Sequence, residues 1–75
     1  MSKVKFYGWE EGCRKISFYL FLSQETHLSL KEAKAIKEKI IDKNEEVVVK
    51  FETNELALKV YQKSTKYGIK SKIIN

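Results

Sequence analysis

Apolar and polar residues alternate along three segments of the chain with the period of a β-strand. The segments are residues 4–9, 46–52 and 69–74. In the first of them Val4 and Phe6 point to one side and Lys5 points to the other, which is typical of a strand with one buried face. The pattern therefore predicts three half-buried strands.

Two helices between these strands have recognisable start signals. Ser29 followed three residues later by Glu32 is the pattern of a capping box, and it predicts a helix that ends near residues 42–44. Thr53 is a favourable N-cap for a further helix. We expect that helix to end at Gly68, because glycine readily adopts the left-handed conformation that follows a helix C-terminus.

The segment 14–24 fits two kinds of secondary structure. Its β-branched and aromatic residues favour a strand. A helix is favoured instead by the i, i+3, i+4, i+7 spacing of the residues Ile16, Tyr19, Leu20 and Ser23. The residues alone leave both alternatives open.

Length and the order of the elements indicate one small domain. With 75 residues and no linker or low-complexity segment, residues 1–75 are expected to fold as a single unit. The pattern predicts two layers, a three-stranded sheet that is antiparallel or mixed, with helices on one face. A chain of this size is too small to enclose a deep active site.

Charge and cysteine content bear on the partners and the location. Fourteen lysines and Arg14 against ten acidic residues give a net charge of +5, spread along the chain, so only mild attraction to anions is expected. The single Cys13 cannot form an internal disulfide, which favours a reducing compartment. No signal peptide follows Met1, and the longest apolar run, residues 18–22, is too short for a bilayer. We therefore expect a cytoplasmic protein without a membrane partner.

One segment resembles a known family. Residues 26–34 read T-H-L-S-L-K-E-A-K, and seven of these nine positions agree with the motif T-G-L-G-L-K-E-A-K. That motif lies in the C-terminal domain of the bacterial ribosomal stalk protein, the L-seven/L-twelve family. The similarity extends backward to Lys15 and forward to Gly68, so it covers nearly the whole chain. The family's N-terminal dimerisation segment and hinge have no counterpart here, so we expect a free-standing domain of this type rather than an authentic stalk protein.

The resemblance implies an α+β fold of the order β-α-α-β-α-β, with three helices on one face of the sheet, an architecture shared with the adaptor ClpS. It assigns the segment 14–24 to a helix. The face of the sheet expected to be buried carries Val4, Phe6, Val47, Val49, Phe51, Ile69 and Ile73. The helices are expected to cover it with Tyr19, Leu22, Ala33, Ile36, Ile40, Leu56, Val60 and Tyr67.

The resemblance also implies a protein-docking face near the joint of the first two helices. The positions that match the family's factor-binding face are Lys15, Leu30, Lys31, Glu32 and Lys34. A simpler alternative is that the two lysines of the second helix form a solvated face and that Glu32 only caps this helix.

The first helix is expected to add an apolar surface to this face. A helix over one small sheet cannot turn all of residues 16–22 inward, so Phe18 and Leu20, together with Ile16, are expected to be exposed and to bind a partner. The partner would be another protein, for which a translation factor is one candidate, or a second copy of the chain. Alternatively, the small core needs all of these side chains.

Catalytic and metal-binding chemistry finds no support in the residues. Cys13 and His27 are fourteen positions apart and have no second cysteine or histidine, so a zinc site or a thiol–imidazole pair lacks its ligands. We expect no enzymatic activity, no cofactor, no metal and no small-molecule substrate.

A small basic nucleic-acid-binding protein is the alternative function. The cations and stacking aromatic residues would be Lys59, Lys63, Lys66, Lys70, Lys72, Tyr61 and Tyr67. Arginine is nearly absent and both tyrosines are close to the stripe expected to be buried, so nucleic acid is the less favoured partner.

Overall fold

The computed structural model of the chain describes residues 2–74. It contains three strands and three helices, namely β1 (Ser2–Trp9), α1 (Lys15–Glu25), α2 (Leu30–Lys37), β2 (Val47–Phe51), α3 (Asn54–Lys66) and β3 (Ile69–Ile74). The expected order of elements is confirmed, and the ambiguous segment 14–24 is helical. This is an α+β fold.

The sheet is built around the first strand. Its order is β2-β1-β3, and both outer strands run antiparallel to β1. β2 and β3 are therefore parallel to each other and connected through α3, which makes a split strand-helix-strand unit. Of the two expected arrangements, antiparallel and mixed, the sheet has the antiparallel one.

Short-range sequence signals fix the ends of the helices. The Ser29 hydroxyl accepts a hydrogen bond from the Glu32 N–H, and the Glu32 carboxylate accepts one from the Ser29 N–H, each at 3.1 Å. The Thr53 hydroxyl likewise accepts from the Leu56 N–H at 3.1 Å. Gly68 follows α3 with a φ of +83°, the left-handed conformation expected after a helix C-terminus.

α2 continues directly into a π-helical turn, Glu38–Asp42. In this turn the Lys43 N–H donates to the Glu38 carbonyl at 3.0 Å, five residues back. The wider turn lets two consecutive residues, Ile40 and Ile41, both be buried. Asn44 then leaves the helix with a φ of 54°, and the chain enters β2.

The core lies between the inner face of the sheet and the helices. Phe6 of β1 and Phe18 of α1 are completely buried, and their rings meet edge to face with centroids 5.5 Å apart. Buried as predicted are Val4, Phe6, Leu22, Ala33, Ile36, Ile40, Phe51, Val60 and Ile69. Half-buried against this core are Tyr19, Val47, Val49, Leu56 and Tyr67.

The prediction that Ile73 is buried is wrong. Its side chain is 36% exposed, and Ser71 is the residue that β3 buries two positions earlier. Ser71 pairs with Phe6 near the middle of the sheet, whereas Ile73 pairs with Val4 near the end of β3. Because β3 is an edge strand with a neighbour on one side only, a side chain near its end is less covered.

Candidate protein-binding surface

Residues predicted to bind a protein lie on α1 and on the first turns of α2. α1 carries Lys15, Ile16, Phe18 and Leu20, and α2 carries Leu30, Lys31, Glu32 and Lys34. The two helices meet where the Nζ atom of Lys34 lies 5.7 Å from the centroid of the Tyr19 ring. A cation at this distance from an aromatic ring is weakly attracted to it.

Phe18 does not contribute to this surface, and the expectation that it is exposed is wrong. The side chain is completely buried. α1 turns Phe18, Phe21 and Leu22 towards the core and leaves Tyr19 only half-buried. Tyr19 and Leu22, which were expected to face the core, have helical spacing, and so do the three residues that do face it. Spacing alone therefore could not distinguish these two rotations of the helix.

The outer side of α1 is apolar as well. Ile16 is 63% exposed and Leu20, one turn later, is 37% exposed. Leu30, the first residue of α2, is 45% exposed. A helix that covers a core normally presents polar residues to water. α1 instead has large apolar residues on both its inner and its outer side.

Charged residues on these two helices are mainly basic. Lys15, Lys31 and Lys34 are exposed. The carboxylate of Glu32 is occupied by the capping box, and the hydrogen bond from the Ser29 backbone, followed by that from its side chain, holds the pKa of Glu32 below its ordinary value. Glu32 therefore caps the start of α2.

A groove between α1 and α3 was not foreseen from the sequence. It has a volume of about 450 Å³, and Leu20 and Phe21 line it from α1. Glu25 Oε1 lies 2.6 Å from Lys59 Nζ across the groove. The hydrogen bond and the charge of Lys59 lower the pKa of Glu25. Because the paired residues are 34 positions apart, no local pattern indicates their contact.

The basic residues proposed for nucleic-acid binding do not form one edge. Lys59 and Lys63 line the groove between α1 and α3. Lys70 and Lys72 are exposed on β3, on the face of the sheet turned away from the helices. These two groups of lysines therefore lie on opposite sides of the sheet, which counts against this set of residues as one nucleic-acid site.

Cys13 and His27 are separate features. Cys13 is half-buried beside Gly68, and the exposed His27 ring lies 5.9 Å from the ring of Phe51. Within residues 2–74, no group of three His, Cys, Asp or Glu side chains is placed to hold a metal ion. Among the helices in that range, none has the length and apolar character needed to cross a membrane.

Comparison with known proteins assigns no family to the chain. Neither the models of known protein families nor the curated proteins contain a match to this sequence. The resemblance to the ribosomal stalk domain therefore stays a prediction from the sequence.

Proposed function

We propose that this protein is a non-enzymatic interaction domain that binds another protein through the outer side of α1 and the start of α2. The α1–α2 surface, as we name it, consists of Ile16, Leu20, Leu30, Lys15, Lys31 and Lys34. The observation that carries the proposal is the exposure of Ile16 and Leu20 on a helix whose opposite side is already buried. Exposed apolar residues rimmed by polar ones mark interaction sites.

The chemistry of this surface favours a partner with an apolar centre and an acidic rim. The three lysines attract carboxylates, and Glu32 does not oppose them strongly because its carboxylate is bonded to Ser29. Two copies of the chain joined through this surface would instead bring like charges together. A different protein is therefore favoured over self-association.

The resemblance to the stalk domain suggests what kind of protein binds. In that family the corresponding face docks translation factors, and residues 26–34 carry the matching motif. A translation factor is accordingly the first candidate, and a role in translation is part of this proposal.

Affinity capture from the native cytoplasm tests the surface when paired with variants. We expect the wild-type protein to retain a partner that the double variant Ile16→Ser, Leu20→Ser retains at least about tenfold less, as is typical when interface anchors are lost. Leu58→Ser is the matched control, since Leu58 is a similarly exposed apolar residue on α3. The control should capture the partner as the wild type does.

The outcomes separate the parts of the proposal. Recovery of a translation factor that depends on Ile16 and Leu20 supports both the surface and the role in translation. Recovery of an unrelated protein with the same dependence supports the surface and contradicts the role in translation. If no captured protein distinguishes the double variant from the Leu58 control, or if sedimentation shows a homodimer that the double variant breaks, the proposed binding of a different protein is wrong.

A further inference from the structure

The face of the sheet turned away from the helices is strongly basic. We call it the open sheet face, and its lysines are Lys3, Lys5, Lys50, Lys70 and Lys72. The strand register places Lys3 opposite Lys50 and Lys5 opposite Lys72. Within residues 2–74, the one carboxylate in an ion pair with these lysines belongs to Glu46, whose Oε1 lies 2.9 Å from Lys5 Nζ.

This arrangement carries a cost in stability. Like charges directly opposite each other on one face of an antiparallel sheet are destabilising. Lysines on an edge strand hinder its pairing with the sheet of another molecule. This explains Lys50 on β2 and Lys72 on β3, which are edge strands. It does not cover Lys3 and Lys5, which lie on the central strand β1. Their position points to an anionic partner.

A notch with two aromatic side chains adjoins the lysines. β2 begins at Val47 opposite Phe6, so the last residues of β1 have only β3 beside them, and the register with β3 shifts between Phe6 and Gly8. The resulting notch has a volume of about 370 Å³. It is lined by Tyr7, Gly8, Trp9, Ile40, Asn44 and Lys70. Tyr7 is 46% exposed and Trp9 is 37% exposed.

Polar groups of the notch are oriented. The Trp9 indole N–H donates to Asn44 Oδ1 at 3.1 Å. Because an indole can only donate, the Asn44 oxygen faces Trp9 and the amide nitrogen is left to donate elsewhere. The aliphatic part of Lys70 lies over Gly8, with its Cδ 3.4 Å from the position that a Cβ would occupy there. Lys70 thus joins the notch to the open sheet face.

We propose that the open sheet face binds single-stranded nucleic acid, with one base in the notch between Tyr7 and Trp9 and the phosphates along the lysines. Aromatic rings that stack on bases beside cations that follow the backbone are the chemistry of single-strand binding. An acidic peptide would pair with the lysines but gains little from two aromatic rings. A duplex keeps the faces of its bases stacked and unavailable. The lysines lie on the face of the sheet turned away from the helices, the notch lies where β1 extends beyond β2, and the two together share no residue with the α1–α2 surface.

Trp9 supplies a direct probe because it is the only tryptophan in the chain. We expect a single-stranded oligodeoxynucleotide of mixed sequence, about 12 nucleotides long, to quench its fluorescence on binding. The logarithm of the affinity should fall linearly with the logarithm of the salt concentration, with a slope of about −0.7 for each phosphate contacted. Inorganic polyphosphate should compete for the lysines without quenching Trp9.

Two kinds of variant separate the phosphate contacts from the stacking. The double variant Lys50→Gln, Lys72→Gln should bind roughly tenfold more weakly, with a salt slope shallower by about 1.4. The matched control Lys39→Gln, Lys66→Gln removes the same charge from exposed helical positions and should bind as the wild type does. Tyr7→Ala should weaken binding about tenfold with an unchanged slope, and Tyr7→Phe should restore it.

Several results would overturn the proposal. Binding without quenching of Trp9, or equal weakening in the two lysine double variants, would show that attraction is only general and electrostatic. Equal affinity for a poly-glutamate peptide, for vesicles containing phosphatidylserine or for duplex DNA of the same length would contradict a single-strand site. Thermal melts identify any variant whose fold is disturbed. If Tyr7→Ala is such a variant, the proposal is tested by whether Tyr7→Phe and the control Lys39→Gln, Lys66→Gln bind the oligonucleotide as the wild type does.

Discussion

Two glycines with the same backbone conformation have different surroundings, and the difference can be measured. Gly12 and Gly68 both have a φ of +83°. A Cβ at Gly68 would lie 2.9 Å from the Cβ of Cys13 and 3.0 Å from its Cα, whereas a Cβ at Gly12 meets nothing within 4 Å. Gly12→Ala should therefore lower the free energy of unfolding by about 1–2 kcal/mol, from left-handed strain alone. Gly68→Ala should lower the free energy of unfolding by the same amount and by roughly a further 1–3 kcal/mol, because the backbone around Cys13 must move.

Urea unfolding of both variants measures these losses. Gly12→Ala is the matched control, since it shares the backbone angle and lacks the close contact. Equal losses in the two variants would mean that the contact with Cys13 imposes no constraint. That result would also leave unexplained why the turn after β1 packs so closely against the turn after α3, where the Glu10 N–H donates to the Gly68 carbonyl at 2.8 Å.

The capping box predicts a pH dependence at α2. The pKa of Glu32 is lowered by its hydrogen bonds with Ser29, so the ionised carboxylate contributes stability at neutral pH. This contribution is lost as the pH falls from the ordinary carboxyl value of 4.5 through the lowered pKa. Ser29→Ala removes the Ser29 hydroxyl, which is the second cause of the lowered pKa after the Ser29 backbone N–H, and we expect it to raise the pKa of Glu32, as measured by NMR titration of the carboxyl carbon.

Glu25 provides the control for that titration. Its pKa is lowered by Lys59 across the groove between α1 and α3, not by a helix cap. Ser29→Ala should leave the pKa of Glu25 unchanged, while Lys59→Gln should raise it and leave Glu32 unchanged. A pKa of Glu32 that stays constant in Ser29→Ala would show that the Ser29 hydroxyl does not stabilise the ionised carboxylate in solution.

At the scale of elements, α1 has two apolar sides, one of which builds the core while the other is exposed. Phe18→Ala should lower the free energy of unfolding by about 3–5 kcal/mol, since it leaves a cavity beside Phe6. Leu20→Ala, on the outer side of the same helix, should change it by less than about 1 kcal/mol. Urea unfolding measures both. A loss at Leu20 as large as that at Phe18 would contradict the assigned orientation of α1.

The same helix shows where prediction from sequence reached its limit. The strands and the capped helices were predictable because alternation, the Ser29–Glu32 pair and Gly68 are local signals. The helix at α1 was predicted only through the family resemblance, since its β-branched and aromatic residues favour a strand. Its rotation was misjudged by one position, because apolar residues on both sides leave no hydrophobic stripe to define the buried one.

At the scale of the whole molecule, the open sheet face could not be found from the sequence. Its lysines come from three strands, and only the order β2-β1-β3 and the register bring Lys3 opposite Lys50 and Lys5 opposite Lys72. The alternation predicted that lysines would face water, but not which strands would be neighbours. Lys59 and Lys63, which are close to Lys70 in sequence, lie instead in the groove on the helical side.

The opposed lysines of this face make the stability of the whole protein depend on salt. Raising the ionic strength from about 0.01 M to about 0.15 M shortens the Debye length from about 30 Å to about 8 Å and screens their repulsion. If this relieves about 1 kcal/mol, the Tm rises by roughly 4–8 °C in a domain of this size.

The double variant Lys50→Gln, Lys72→Gln removes one lysine from each opposed pair. It should therefore raise the Tm at low salt and make the Tm depend less on salt. Lys39→Gln, Lys66→Gln lowers the net charge equally without touching the sheet, and its Tm should still rise with salt as in the wild type. Calorimetry at the two ionic strengths measures these Tm values. If the salt dependence of the Tm becomes equally weak in both double variants, it reflects net charge alone. The opposed lysines would then carry no cost in stability, and the proposal of a binding site on the open sheet face would lose that argument.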